Sequence, residues 1–291
     1  MAKKRASPQG PLRFCDIEVP YAPAWKLLTD NPKFRAALKR AEARIEADVA
    51  AGTCTPPRDR ILRFLQVPQV HAVVVGQDPY SQADLATGFA LEVGNLTSWT
   101  ELTKRYSDDD DGSVNEAAAV RSLVRLFYMT ATDWSTKHAD RPSYKEAAAA
   151  ADAGGFYLLP PNELFNHWQQ VGILPLNASL STRIGIPHAH RQAWTTVRPL
   201  IVKHITETWP HALWFLWGSA AVGRFAKRLP RGTAYHEAGH PNLQGTARTN
   251  QRFFFLASGI PDTWERLKWT GPEQCPKNST PAPDDRSEPS A

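Results

Sequence analysis

Val73-Val74-Val75-Gly76-Gln77-Asp78-Pro79-Tyr80 is a β-branched run that stops at a glycine and runs straight into a carboxylate, a proline and a phenol. Residues 71–75 have the near-continuous apolar character of a strand buried on both faces of a parallel sheet. Gly76 permits close backbone approach and Pro79 stiffens the turn. The passage therefore sets Gln77, Asp78 and Tyr80 together at the carboxyl end of a strand. Two further runs, 172–176 and 213–217, end in Asn177 and in Trp217-Gly218-Ser219, and His240-Pro241 sits in a loop after another strand. Between them, 117–131, 144–153, 188–207 and 219–228 read as helices. Asn31-Pro32 supplies an N-cap and a first-turn proline for a helix running to about residue 51, and 60–66 is a further helical stretch. Strands alternating with helices predict an α/β fold with a mostly parallel sheet, in which ligands bind at the carboxyl ends of the strands.

The chain has 291 residues, 42% hydrophobic and 22% charged, enough for a sizeable core. Residues 1–10 read as a basic flexible arm. The segment 271–291 has five prolines in 21 residues and reads as a disordered tail. A single domain is expected over 11–270. Region 96–160 reads as a long surface insertion, its extra length concentrated at about 96–121. No apolar run approaches the length that spans a bilayer, and the basic N-terminal residues lack an apolar segment behind them. The expected location is intracellular and cytoplasmic, with no membrane partner. Three widely spaced cysteines give neither a disulfide framework nor a metal knuckle.

The net charge is +5, and the acids are concentrated in Asp108–Asp111 and in the tail, so the folded body is more basic than the total. That balance points to a polyanionic partner, with nucleic acid foremost. The run Asp108–Asp111 reads as a solvated loop.

The motifs, taken in order, resemble the uracil-DNA glycosylase superfamily and, within it, the family of that name. Val75 to Tyr80 is similar to the family's water-activating motif, preceded as expected by Pro56-Pro57 and Ile61-Leu62-Arg63-Phe64. Ser122-Leu123 resembles the DNA-compressing segment. The stretch from Trp168 to Asn177 resembles the strand bearing the base-reading Asn, and Leu216-Trp217-Gly218-Ser219 and His240-Pro241 complete the set. The resemblance implies a three-layer fold, a central mostly parallel sheet flanked by helices. It also implies an enzyme that flips a pyrimidine out of DNA and hydrolyses its N-glycosidic bond, with no metal or cofactor and as a monomer.

The same resemblance implies the residue roles. Asp78 stabilises the cationic sugar and orients water, and His240 donates to the pyrimidine O2. Gln77 backbone holds that oxygen, Asn177 reads O4 and N3–H, and Tyr80 fills the space of a thymine methyl. Ser122, Gly218, Ser219, Asn242, Leu243 and Gln244 fall at DNA-contacting positions. His71, His167, His188, His190, His204, His211 and His236 read as packing or solubility histidines.

The chain departs from the family pattern at Ser81, where the family has His, and at Leu91, where it has the Phe that stacks on the base. Phe89 lies two residues before that position. His240-Pro241-Asn242-Leu243-Gln244 also differs, its intercalating Leu falling on Leu243 or Gln244. These departures leave two alternatives to uracil excision. One is excision of a bulky modified pyrimidine, such as hydroxymethylated or glucosylated cytosine in phage DNA, as antiviral defence. The other is a catalytically silent DNA-binding module.

Overall fold

The computed structural model describes residues 10–105, 118–133, 142–241 and 254–273. Four strands, β1 (Ala72–Gly76), β2 (Ile173–Asn177), β3 (Leu213–Trp217) and β4 (Tyr235–Ala238), form one sheet in the order β2-β1-β3-β4, every neighbouring pair parallel. Register sets Gly76 beside Asn177 and Trp217 beside Ala238. The four carboxyl ends thus line up along one edge.

Side-chain alternation along these strands builds two cores. Val73 and Val75, Leu174 and Leu176, Trp214 and Leu216 face one layer, with α1 (Pro32–Ala50) and α6 (Arg198–Thr208). Ala72 and Val74, Ile173, Phe215 and Trp217 face the other. That layer holds α2 (Thr100–Arg105), α3 (Ala118–Ala131), α4 (Tyr144–Asp152) and α5 (Pro161–Gln170). Both faces of β1, β2 and β3 are covered, so these three strands are almost wholly apolar, whereas the edge strand β4 carries Tyr235, His236 and Glu237 and is only partly buried. The architecture is the three-layer α/β fold expected. Pro175 is tolerated inside β2 because that strand is at the sheet edge.

Asn31 caps α1 through a 2.9 Å bond from the Lys33 N–H, with Pro32 in the first turn, as the sequence implies. Three expectations need correction. The segment 188–207 is not one helix: α6 begins only at Arg198, and 188–197 runs through turns. His188 has φ +65°, and the His188 and His190 side chains reach out to Asp78 and Asp48 instead of following a helix face. The stretch 60–66 is helical only as a short 3-10 turn at Arg63–Gln66. Region 96–160 is not a surface insertion where it is described, since Trp99, Leu102, Val120, Leu123, Ala147 and Phe156 are core residues. Asp108–Asp111 lies outside the described residues, as do 1–9 and 274–291.

Among the described residues, no helix is long and apolar enough to cross a membrane.

Candidate active site

A cavity of about 380 Å³ opens at the carboxyl ends of the strands. Gln77, Asp78 and Tyr80 enter from the loop after β1, Asn177 from the end of β2, Trp217 from the end of β3, and His240 from the loop after β4. Leu91, Phe89, Pro187 and His188 complete much of the wall. Six residues expected from the sequence, Asp78, His240, Gln77, Tyr80, Leu91 and Asn177, are thus brought to one cavity by four different segments.

Asp78 is 6% exposed at its side chain. Its Oδ2 accepts a 2.6 Å hydrogen bond from His188 Nδ1. Gln77 Nε2 lies 3.2 Å from the His188 ring nitrogens. Both contacts are met together when Nδ1–H donates to Asp78 and Nε2 accepts from the Gln77 amide. His188 is therefore a site residue, and the packing or solubility role expected from the sequence is corrected. Its position in the sequence offered no motif. It reaches Asp78 because the loop after β2 folds back, pinned two residues later by His190.

That pin is a network around the buried Asp48 and His190, closed on the outside by the exposed Arg183. Asp48 Oδ2 accepts from His190 Nε2 at 2.7 Å, and both carboxylate oxygens take the Arg183 guanidinium at 2.7 and 3.0 Å. Ser181 Oγ meets His190 Nδ1 at 2.9 Å and accepts from Trp194 Nε1 at 3.1 Å. The Arg183 fork and the other donors hold the Asp48 carboxyl at about 2, below the usual carboxylate range. His190 is thus a packing histidine, as are His167 and His204, which reach backbone carbonyls of Lys268 and Ala24. His236 stacks on Phe215 within the fold, with ring centroids 5.1 Å apart.

His240 lines the cavity, and burial pushes its pKa below the ordinary 6.5, so the ring is neutral at physiological pH. A neutral imidazole still has one N–H to donate. Two glycines shape its surroundings. Gly218, with φ +94°, leaves the space in which the His240 ring sits, a Cβ there lying 3.0 Å from the ring. A Cβ on Gly76 would overlap Asn177 Oδ1 and lie 2.6 Å from Ala90 Cβ. Only glycine at position 76 therefore admits the Asn177 amide as placed. Asn177 is 4% exposed, so its amide is held inside the cavity wall.

Leu91 holds φ +68°, an uncommon conformation for a residue with a side chain. In it the Leu91 carbonyl accepts from the Tyr80 hydroxyl at 3.2 Å, which fixes the phenol across the cavity. The aromatic ring at this wall comes from Phe89, backed by the Arg63 guanidinium 4.2 Å from the ring centroid. Arg63 is itself held by Glu92 at 2.5 Å.

The remaining expected residues fall elsewhere. Ser122 is buried in α3, and its Oγ donates to the Pro241 carbonyl at 2.9 Å. It supports the His240 loop from inside. Gly218 caps the short helix α7 (Ser219–Phe225), and Ser219 is exposed beside it. Asn242, Leu243 and Gln244 lie outside the described residues. Among the described residues, no three His, Cys, Asp or Glu side chains converge as a metal centre requires.

The geometry places a buried carboxylate, a neutral imidazole donor and a fixed amide around one hollow. Such a set suits a reaction that generates a cation on one side of a breaking bond and an anion on the other.

No family model matches the chain. It is 24% identical over 209 residues to a protein named uracil-DNA glycosylase from Amoebophilus asiaticus, covering 70% of this chain and 76% of that one. A protein of the same name from Histophilus somni is 26% identical over 204 residues, covering 68% and 72%. The one from Deinococcus radiodurans is 24% identical over 225 residues, covering 75% and 72%. Among solved structures, the UNG of Nitratifractor salsuginis superposes with a TM-score of 0.57 at 19% identity, covering 85% of this chain and 95% of that one. A mimivirus uracil-DNA glycosylase gives 0.54 at 14% identity, covering 78% and 72%.

Proposed function

We propose that the chain is a monofunctional DNA glycosylase of the uracil-DNA glycosylase superfamily, one that flips uracil out of DNA and hydrolyses its N-glycosidic bond, leaving an abasic site. The observation that carries this reading is the convergence of Asp78, Asn177 and His240 on one cavity at the carboxyl ends of a parallel sheet. A base inside the duplex is out of reach, so it must leave the stack and enter the cavity. There the Asn177 amide presents a donor to O4 and an acceptor to N3–H of uracil. Tyr80, fixed by Leu91, occupies the side on which a C5 substituent projects, and the buried Phe89 ring, with Arg63 over one face, forms part of the wall beside Leu91.

As the bond between C1′ and N1 lengthens, the sugar gains positive charge and the pyrimidine gains negative charge. The Asp78 carboxylate stabilises the sugar cation and orients water toward C1′, while His188, itself in contact with Gln77, holds its rotamer. Neutral His240 donates to O2 as that oxygen becomes anionic, a preorganised dipole that requires no proton transfer. Water adds to C1′, its proton leaves to solvent through the carboxylate, and uracil departs as the anion. DNA is the substrate, the chain acts as a monomer inside the cell, and no metal takes part.

Among the described residues, the cavity does not favour a bulky C5-modified cytosine, because Tyr80 stands on that side. A silent binding module has no use for the paired Asp78 and His188. The test is release of free uracil from labelled DNA by the wild type and by Asp78→Asn. The wild type is expected to release uracil, whereas the variant binds the same DNA and releases almost none. No release by the wild type would refute the proposal.

A further inference from the structure

His188 does not account for everything that faces Asp78. From α7, Arg224 brings Nη1 to 4.0 Å from Asp78 Oδ2, with the two side chains only 11% and 6% exposed. Arg224 Nη1 and Asp78 Oδ1 are both buried, and neither has a hydrogen-bond partner among the described residues. The His188 ring, by contrast, is 51% exposed. The groups facing the carboxylate are therefore His188 from the loop after β2, Arg224 from α7 and, at longer range, Arg198 from α6, with His240 on the same cavity. Arg191 faces Arg224 from the turns ahead of α6.

We propose that Arg224 is a positioning residue for Asp78: its buried guanidinium keeps the carboxylate charged and in place as the phosphates of DNA approach. The inference rests on the glycosylase reading above. Incoming phosphates are like charges to Asp78 and disfavour its ionised form, and only a cation within about 4–6 Å offsets them strongly. His188 orients the carboxylate through its 2.6 Å bond, but its half-exposed ring is open to competition from solvent and DNA. Arg224 is always protonated and shielded, so its contribution persists in the complex. The 4.0 Å gap leaves Asp78 free to keep its bond to His188 while it feels the cation.

The experiment compares Arg224→Gln and Arg224→Lys, each alone and combined with Asp78→Asn. The readouts are single-turnover uracil release at about pH 5.5 and about pH 8, affinity for uncleaved DNA, and thermal midpoint. Arg224→Gln is expected to slow release about tenfold or more near pH 5.5 and markedly less near pH 8, with DNA affinity within about twofold. Arg224→Lys restores most of the rate. The midpoint lost on Arg224→Gln is smaller when Asp78→Asn is already present, as for a coupled pair.

Equal slowing at both pH values, or additive midpoint losses, would overturn the proposal. So would equal weakening of DNA binding with and without Asp78→Asn, which would make Arg224 a phosphate ligand instead. Should Arg224→Gln fail to fold, Arg224→Lys decides: a folded Lys variant that slows equally at both pH values also overturns it. Absence of uracil release by the wild type would refute the activity beneath the proposal, and the thermal cycle would then test the pair by itself.

Discussion

Replacing Gly76 with Ala adds one methyl group at the place where the base-reading amide is held. The backbone there has no positive φ, so the cost is one of space alone. The new Cβ would overlap Asn177 Oδ1 and stand 2.6 Å from Ala90 Cβ. Ala90 is anchored by its N–H to the Pro175 carbonyl at 3.2 Å and cannot retreat readily. Asn177 must therefore rotate out of its position. Overpacking of this kind costs roughly 1–3 kcal/mol of stability. The functional loss is larger, because two hydrogen bonds to uracil disappear at about 0.5–1.5 kcal/mol each and a buried amide is left misaligned. Together these predict a fall in kcat/KM for uracil DNA of about tenfold to several hundredfold. The assay is steady-state uracil release by Gly76→Ala, Asn177→Ala and the double variant, with circular dichroism to confirm folding. The double variant should be scarcely slower than Asn177→Ala, since both substitutions remove the same contact. A folded Gly76→Ala enzyme with near wild-type kcat/KM, or losses that multiply, would refute the reasoning.

Three other outcomes follow from the geometry. His188→Ala should lower kcat about tenfold to a hundredfold with little change in thermal midpoint, because a half-exposed ring that orients Asp78 is lost while the core is untouched; kinetics and calorimetry together check this. His167, His204, His236 and His240 all have pKa values pushed below 6.5 by burial. Below pH 6.5 the unfolded chain takes up protons that the native state refuses, so stability should fall as pH drops from 6.5, and His204→Gln should flatten that slope in urea titrations. Asp48→Asn should cost about 1–3 kcal/mol in urea unfolding and lower activity by loosening the loop that carries His188. Its carboxylate contributes stability above about pH 4 that is lost as pH falls toward 2, and the variant should lack that acid transition.

Three strands of the sheet were legible because they are buried on both faces: 71–75, 172–176 and 213–217 show as apolar runs, each matched by a strand to within a residue. The polar groups that end those runs were legible for the same reason, since these buried strands carry none before their last residue. Helix starts with local chemistry, such as Asn31-Pro32, were equally clear. What failed depended on contacts distant in sequence. Residues 188–197 carry no strong breaker, and they avoid the helix because His188 and His190 bond to Asp78 and Asp48, more than a hundred residues away. The same distance hid the role of His188 and that of Arg224. Ser122 has a hydroxyl suited to a phosphate, yet tertiary packing turns it inward to Pro241. Leu91 is the converse case: strict counting exposed the missing aromatic, but only the structure shows Phe89 on the same cavity wall.

The most direct test of the central claim is alkaline cleavage of abasic sites formed in matched duplexes carrying a single uracil, thymine, cytosine, or hydroxymethylated or glucosylated cytosine. The arrangement of Tyr80, Asn177 and His240 around one cavity predicts strand cleavage at uracil alone, abolished by Asp78→Asn. Cleavage confined to a modified cytosine, equal cleavage at thymine, or no cleavage of any duplex would contradict it.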